Sequence, residues 1–161
     1  MYMPSESLVN TLLLCRGYLA SHIAGLTEEQ LLEVPEGNEN NILWHMGHLL
    51  VSHCGMTYGR CGLDYPCPRE FTALFKGGSK PADWSETPDI AKIKGLFKEN
   101  MNGIVEHYKN GDFENYDPQE MAPGMSLANI EEALGFVIIH ESVHHGNIIT
   151  IRRLIGCPPE H

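Results

Sequence analysis

Residues 126–155, SLANIEEALGFVIIHESVHHGNIITIRRLI, carry one uninterrupted helical pattern, and the rest of the chain is read outward from it. Ser126 is placed to cap this helix, and Gly156 with Pro158-Pro159 stops it. A helix over these residues would be roughly 45 Å long. Taking His140 as reference and about 100° of turn per residue, Ala133, Phe136, His144, Asn147, Ile151 and Leu154 fall within about 40° of it. The spacing predicts an apolar face that carries His140 and His144 one turn apart, where both can reach one ion. His145 points away from that face and is expected outside any ligand set.

Three more long helical segments precede this one. The first runs from about Ser5 to Ala24 and stops at Gly25. Thr27-Glu28-Glu29-Gln30 fits a capping box, so a short helix is expected over Glu28 to Glu33, broken at Pro35-Glu36-Gly37-Asn38. Asn40 or Asn41 can cap the second long helix, which continues to about Tyr58. Residues 59–86 are rich in glycine, proline and aromatics, too long for a plain turn between helices. They read as a functional loop or lid with a short helix around Glu70 to Phe75. Thr87-Pro88-Asp89 starts the third long helix with a capping hydroxyl, a proline and an acid; it reaches about Lys109 and ends at Asn110-Gly111. A polar stretch through Pro123-Gly124 leads to the last helix. No strand pattern is found. Four long helices with one apolar stripe each must bury those stripes together, which predicts an all-α fold of the antiparallel bundle type. The 161 residues suit a single domain spanning 1–161.

Composition narrows the functions. The hydrophobic fraction is 42% and the charged fraction 20%, values of a folded chain. No apolar run approaches the roughly 20 residues of a membrane-spanning helix. The start, Met1-Tyr2-Met3-Pro4-Ser5-Glu6, lacks the basic stretch and apolar core of a signal peptide, so a cytoplasmic location is expected. A net charge of −10 with no basic stripe argues against nucleic-acid partners. The five cysteines, Cys15, Cys54, Cys61, Cys67 and Cys157, include no Cys-x-x-Cys pair and read as free, mostly buried thiols.

A lone inward histidine is ordinarily a neutral, hydrogen-bonded core residue. Two in register differ, because two buried imidazoles leave several polar nitrogens to satisfy, and one metal ion satisfies two of them. The second long helix adds Trp44-His45-Met46-Gly47-His48-Leu49-Leu50. His45 and His48 lie one turn apart, and periodicity leaves open which of them faces the interior; for His45 a solvated position, or one behind the ligands, is the commoner role. His53 lies on another side. A third histidine from this helix would give three protein ligands with open positions, the usual form of a catalytic metal site.

His140-Glu141-Ser142-Val143-His144 is also a literal His-Glu-x-x-His, the zinc-protease signature, in which the glutamate activates metal-bound water. Its extended form fails here. Asn147 stands where a glycine is required and Thr150 where a third histidine belongs, and no edge strand offers to pair a peptide. Glu141 remains a candidate base or a partner behind the ligands.

Three stretches in order resemble the DinB-like (DinB/YfiT-like) superfamily of metal-binding four-helix bundles. Leu26-Thr27-Glu28-Glu29-Gln30-Leu31 is similar to its segment after the first helix. Asn41-Ile42-Leu43-Trp44-His45-Met46-Gly47-His48-Leu49 is similar to its second-helix motif, whose second histidine is the ligand. His140-Glu141-Ser142-Val143-His144-His145-Gly146-Asn147-Ile148 is similar to its closing motif, with His145 in place of the usual arginine and Asn147 in place of the usual glutamine. The resemblance implies that His48, His140 and His144 bind one divalent metal, zinc or nickel, and that the fold is an up-down-down-up bundle, often a homodimer. Relatives of this kind include transferases and isomerases that work with low-molecular-weight thiols.

The expectation is therefore an enzyme that activates a small thiol, or water, at a three-histidine site and delivers it to a small electrophile. The alternatives are a metal-dependent hydrolase with Glu141 as base and a non-catalytic metal-binding stress-response protein. Tyr58, Arg69 and Trp84 border the long loop as candidate substrate contacts, although packing or surface roles are commoner for such residues.

Overall fold

A computed structural model of the protein describes residues 4–159; the reading of the first three residues lies outside them. Among the described residues the chain is mostly helical, with one small two-stranded sheet. The elements are α1 (Glu6–Ile23), α2 (Glu28–Leu32), α3 (Ile42–Met56), α4 (Arg69–Phe75), α5 (Ile90–Asn110), β1 (Gln119–Ala122), β2 (Met125–Leu127) and α6 (Ile130–Leu154). Short 3-10 turns cover Tyr58–Cys61 and Pro81–Asp83.

Side-chain caps set most of the helix starts. Ser5 accepts from the Leu8 amide, Thr27 and Gln30 form the expected capping box, and Asn41 rather than Asn40 caps α3. The amide of Asn41 also donates to the Leu32 carbonyl at 3.0 Å, tying the end of α2 to the start of α3. Two expected caps move. Asp89, not Thr87, caps α5, its carboxylate accepting from the Lys92 amide at 2.9 Å. Asn129, not Ser126, caps α6, accepting from the Glu132 amide at 3.0 Å, while Glu132 reaches back to the Ala128 amide at 2.7 Å.

Ser126 lies instead in β2, which pairs antiparallel with β1 across the Pro123-Gly124 turn. The hairpin corrects the expectation of no strand. Gln119-Glu120-Met121-Ala122 has none of the β-branched alternation that marks a strand, and the hairpin depends on tertiary support. Leu127 supplies it, buried against the core beside α6.

The core is one cluster fed by every long helix. α1 packs on α6 and α5, and α3 packs on α5 and α6. α4 closes over α3. Gly47 permits this, because a Cβ there would lie 2.4–2.6 Å from the Phe75 ring.

Candidate metal centre

The buried face of α6 is turned from the expected one. Leu134, Val137, Glu141, Ile148 and Ile151 are its buried spine, and Asn147 and Leu154 are exposed. His144 is buried within this face, His140 stands half-buried at its margin, where α6 meets α3, and Glu141 is fully buried. The expected stripe treated His140 as its axis; the apolar weight of Leu134, Val137 and Ile148 moves the axis by about one residue.

α3 brings His48 to the same margin. The Nε2 atoms of His48 and His140 lie 3.2 Å apart, and those of His140 and His144 3.1 Å apart. One nitrogen from each of the three rings falls within 4.8 Å of the other two. The Ser52 hydroxyl is 3.3 Å from His48 Nε2 at the rim. Trp44 stacks on the His48 ring, 4.7 Å between centroids with 9° between planes. His45 is buried, its Nδ1 2.7 Å from His144 Nδ1.

The Nδ1–H of His48 donates to the Phe75 carbonyl at 2.7 Å, since a carbonyl can only accept. A neutral His48 thus presents a bare lone pair at Nε2. Burial keeps the rings neutral. Burial, and then the neighbouring His48, lowers His140 to about 4 and His45 to about 4. Burial and the surrounding histidines lower His144 to about 2, and burial lowers His48 against the pull of the Phe75 carbonyl. Three neutral imidazole nitrogens converging at these distances fit a divalent cation. Tetrahedral nitrogen ligands at metal–nitrogen lengths of about 2.0–2.1 Å stand about 3.3 Å from one another.

The Glu141 carboxylate accepts from Arg16 Nε at 2.6 Å and Arg16 Nη2 at 3.3 Å. His145 turns away and meets His22 at 2.9 Å. Tyr58 packs on His107 and Phe113, Trp84 packs on Phe75, and Arg69 is exposed at the start of α4. Sequence reasoning missed two residues next to the centre. His53, expected on another side, is fully buried with Nε2 3.4 Å from His140 Nδ1. Arg16 interrupts the buried series Val9, Leu12, Leu19 and Ile23 of α1, a signal present in the sequence. A lone arginine in an apolar stripe calls for a buried partner, and Glu141 is that partner.

Helices and histidines together define a mostly helical protein with a three-histidine group able to hold a metal ion. A sequence profile described as the DinB superfamily matches residues 11–148, which contain all three histidines, and the chain belongs to that superfamily. No curated protein matches it.

Proposed function

We propose that His48, His140 and His144 bind one divalent ion, zinc or nickel, and that the protein is an enzyme activating a small thiol for transfer to a small electrophile. The observation that carries the reading is the convergence of three neutral Nε2 atoms at the edge of the core. A bound ion would supply Lewis acidity, lowering the pKa of a thiol or water at an open position. The chain contributes orientation. Phe75 fixes the His48 ring, Trp44 stacks on it, and His45 holds His144.

Two features favour an external thiol over a protein cysteine. Burial raises Cys54 to about 12 and Cys67 to about 11, and raises Cys15 and Cys61 as well, so these thiols stay protonated near neutrality. The Cys54 sulfur is further occupied, accepting from the Asn100 side chain at 3.3 Å. On this reading Glu141 serves to position rather than as a base, because Arg16 engages both of its oxygens.

The wider proposal is one domain over 1–161, built as an up-down-down-up bundle. Its support is the residue pairing between helices. Cys15 and His22 of α1 meet Ser142 and His145 of α6 in the same order, whereas His45 and His48 of α3 meet α6 in reverse order, at His144 and His140. A homodimer is also proposed. Leu14 and Tyr18 of α1 and Ile139 and Val143 of α6 are exposed. With α1 and α6 parallel and about 100° per residue, all four flank one side of their seam. That is an apolar patch suited to a second copy. Among the described residues no helix is long and apolar enough to cross a membrane. A reducing, cytoplasmic setting is proposed, supported by five unpaired cysteines.

The test is cobalt substitution followed by titration with small thiols. Sulfur-to-cobalt charge-transfer absorption is expected, and it should be lost when His48, His140 or His144 is singly replaced by Ala. Cobalt bound at the three histidines without that band for any thiol would remove the transferase reading.

A further inference from the structure

Behind His140 runs a line of buried polar groups to which three-histidine ligation gives no task. Its members come from three helices. His53 on α3 places Nε2 3.4 Å from His140 Nδ1. The far nitrogen of His53, Nδ1, is buried without a hydrogen-bond partner and lies 3.9 Å from Glu141 Oε2. Glu141 on α6 is held by Arg16 of α1, and Arg16 Nη1 donates to the Phe97 carbonyl at 2.7 Å. His53 and Glu141 are both 0% exposed.

A buried ion pair is commonly no more stabilising than apolar residues of the same volume, so core stability alone does not explain this group. Its polarity does run in one direction. At 3.9 Å the pair is not hydrogen-bonded, but a carboxylate offers only negative charge and acceptor oxygens to the nitrogen it faces, which favours the hydrogen of a neutral His53 on Nδ1. With its hydrogen on Nδ1, a neutral His53 has a bare Nε2, and that acceptor faces His140 Nδ1. His140 then carries its own hydrogen on Nδ1 and leaves Nε2 bare toward His48 and His144. The Phe75 carbonyl imposes the same state on His48. Partners of this kind, behind a ligating imidazole, set its tautomer and ring orientation.

We propose that His53, polarised by the Arg16–Glu141 pair, is a positioning residue that holds His140 in the Nδ1–H tautomer with its Nε2 lone pair turned into the centre. The inference rests on the metal-centre reading above.

Two measurements on the full chain test it. The first is zinc(II) titration against a chromophoric competitor, with far-ultraviolet circular dichroism to confirm helix content. His53→Leu should weaken zinc binding roughly 10–100-fold. His53→Gln, whose Oε1 can accept from His140, should recover most of that loss. The second is long-range proton–nitrogen correlation spectroscopy of the unsubstituted, metal-free protein, which should show His53 and His140 both as Nδ1–H tautomers. Wild-type zinc affinity in His53→Leu, or His53 in the Nε2–H form, would overturn the inference. If His53→Leu does not fold, the tautomer spectra decide alone. If the unsubstituted protein binds zinc no better than His48→Ala, the metal-centre reading fails, and the spectra still decide whether His53 orients His140.

Discussion

Five imidazoles meet between α3 and α6: His45, His48, His53, His140 and His144. Folding favours the neutral form of every one, with burial the largest cause. His45 and His140 fall from the ordinary 6.5 to about 4. Between those values the unfolded chain takes up protons that the folded chain refuses, so lowering the pH favours unfolding. The metal-free protein should therefore be most stable above pH 6.5 and lose stability as pH falls from 6.5 toward 4. Urea midpoints measured across that range check this, with His140→Gln expected to flatten part of the slope. A midpoint that does not move on acidification would contradict the neutral, buried state of these rings.

α3 shows how much of the site the sequence exposes and where it stops. Its cap as one of Asn40 and Asn41, its extent to within two residues and its His-x2-His pair were readable in the sequence. Periodicity could not choose between His45 and His48, because all but two of its fifteen residues are buried and no polar face marks the outside. The resemblance to a known motif made that choice. His53 was misplaced for the same reason: on a helix buried nearly all round, position along the wheel does not separate inside from outside. The hairpin of β1 and β2 and the turned face of α6 were hidden because tertiary packing, not local pattern, determines them. Gly47 belongs to the same helix. Its missing side chain admits the Phe75 ring, and the Phe75 carbonyl then reaches His48. Gly47→Ala forces α4 away from α3. It should destabilise the protein by about 1–3 kcal/mol in denaturant unfolding and weaken metal binding through the loss of the carbonyl's hold on His48. Unchanged stability would mean that α4 does not dock as described.

At the scale of the whole molecule, α1 and α6 do two things with opposite sides of one seam. Inward, they join Arg16 to Glu141; outward, they leave Leu14, Tyr18, Ile139 and Val143 bare. Charged side chains on the outward side should separate the copies without touching the centre. On the proposed dimer, the unsubstituted chain is expected to sediment as a dimer, and Tyr18→Asp combined with Val143→Asp as a monomer with zinc affinity unchanged. A monomeric unsubstituted chain at micromolar concentration would remove the homodimer. The place of His140 at the margin of the α6 face, rather than on its buried spine, has a consequence for supply. An ion held there would come and go without the helices parting, so loading could follow folding instead of accompanying it. The occupant would then be set by which ions circulate around the finished protein and at what concentration, and one chain could hold different metals as those concentrations change.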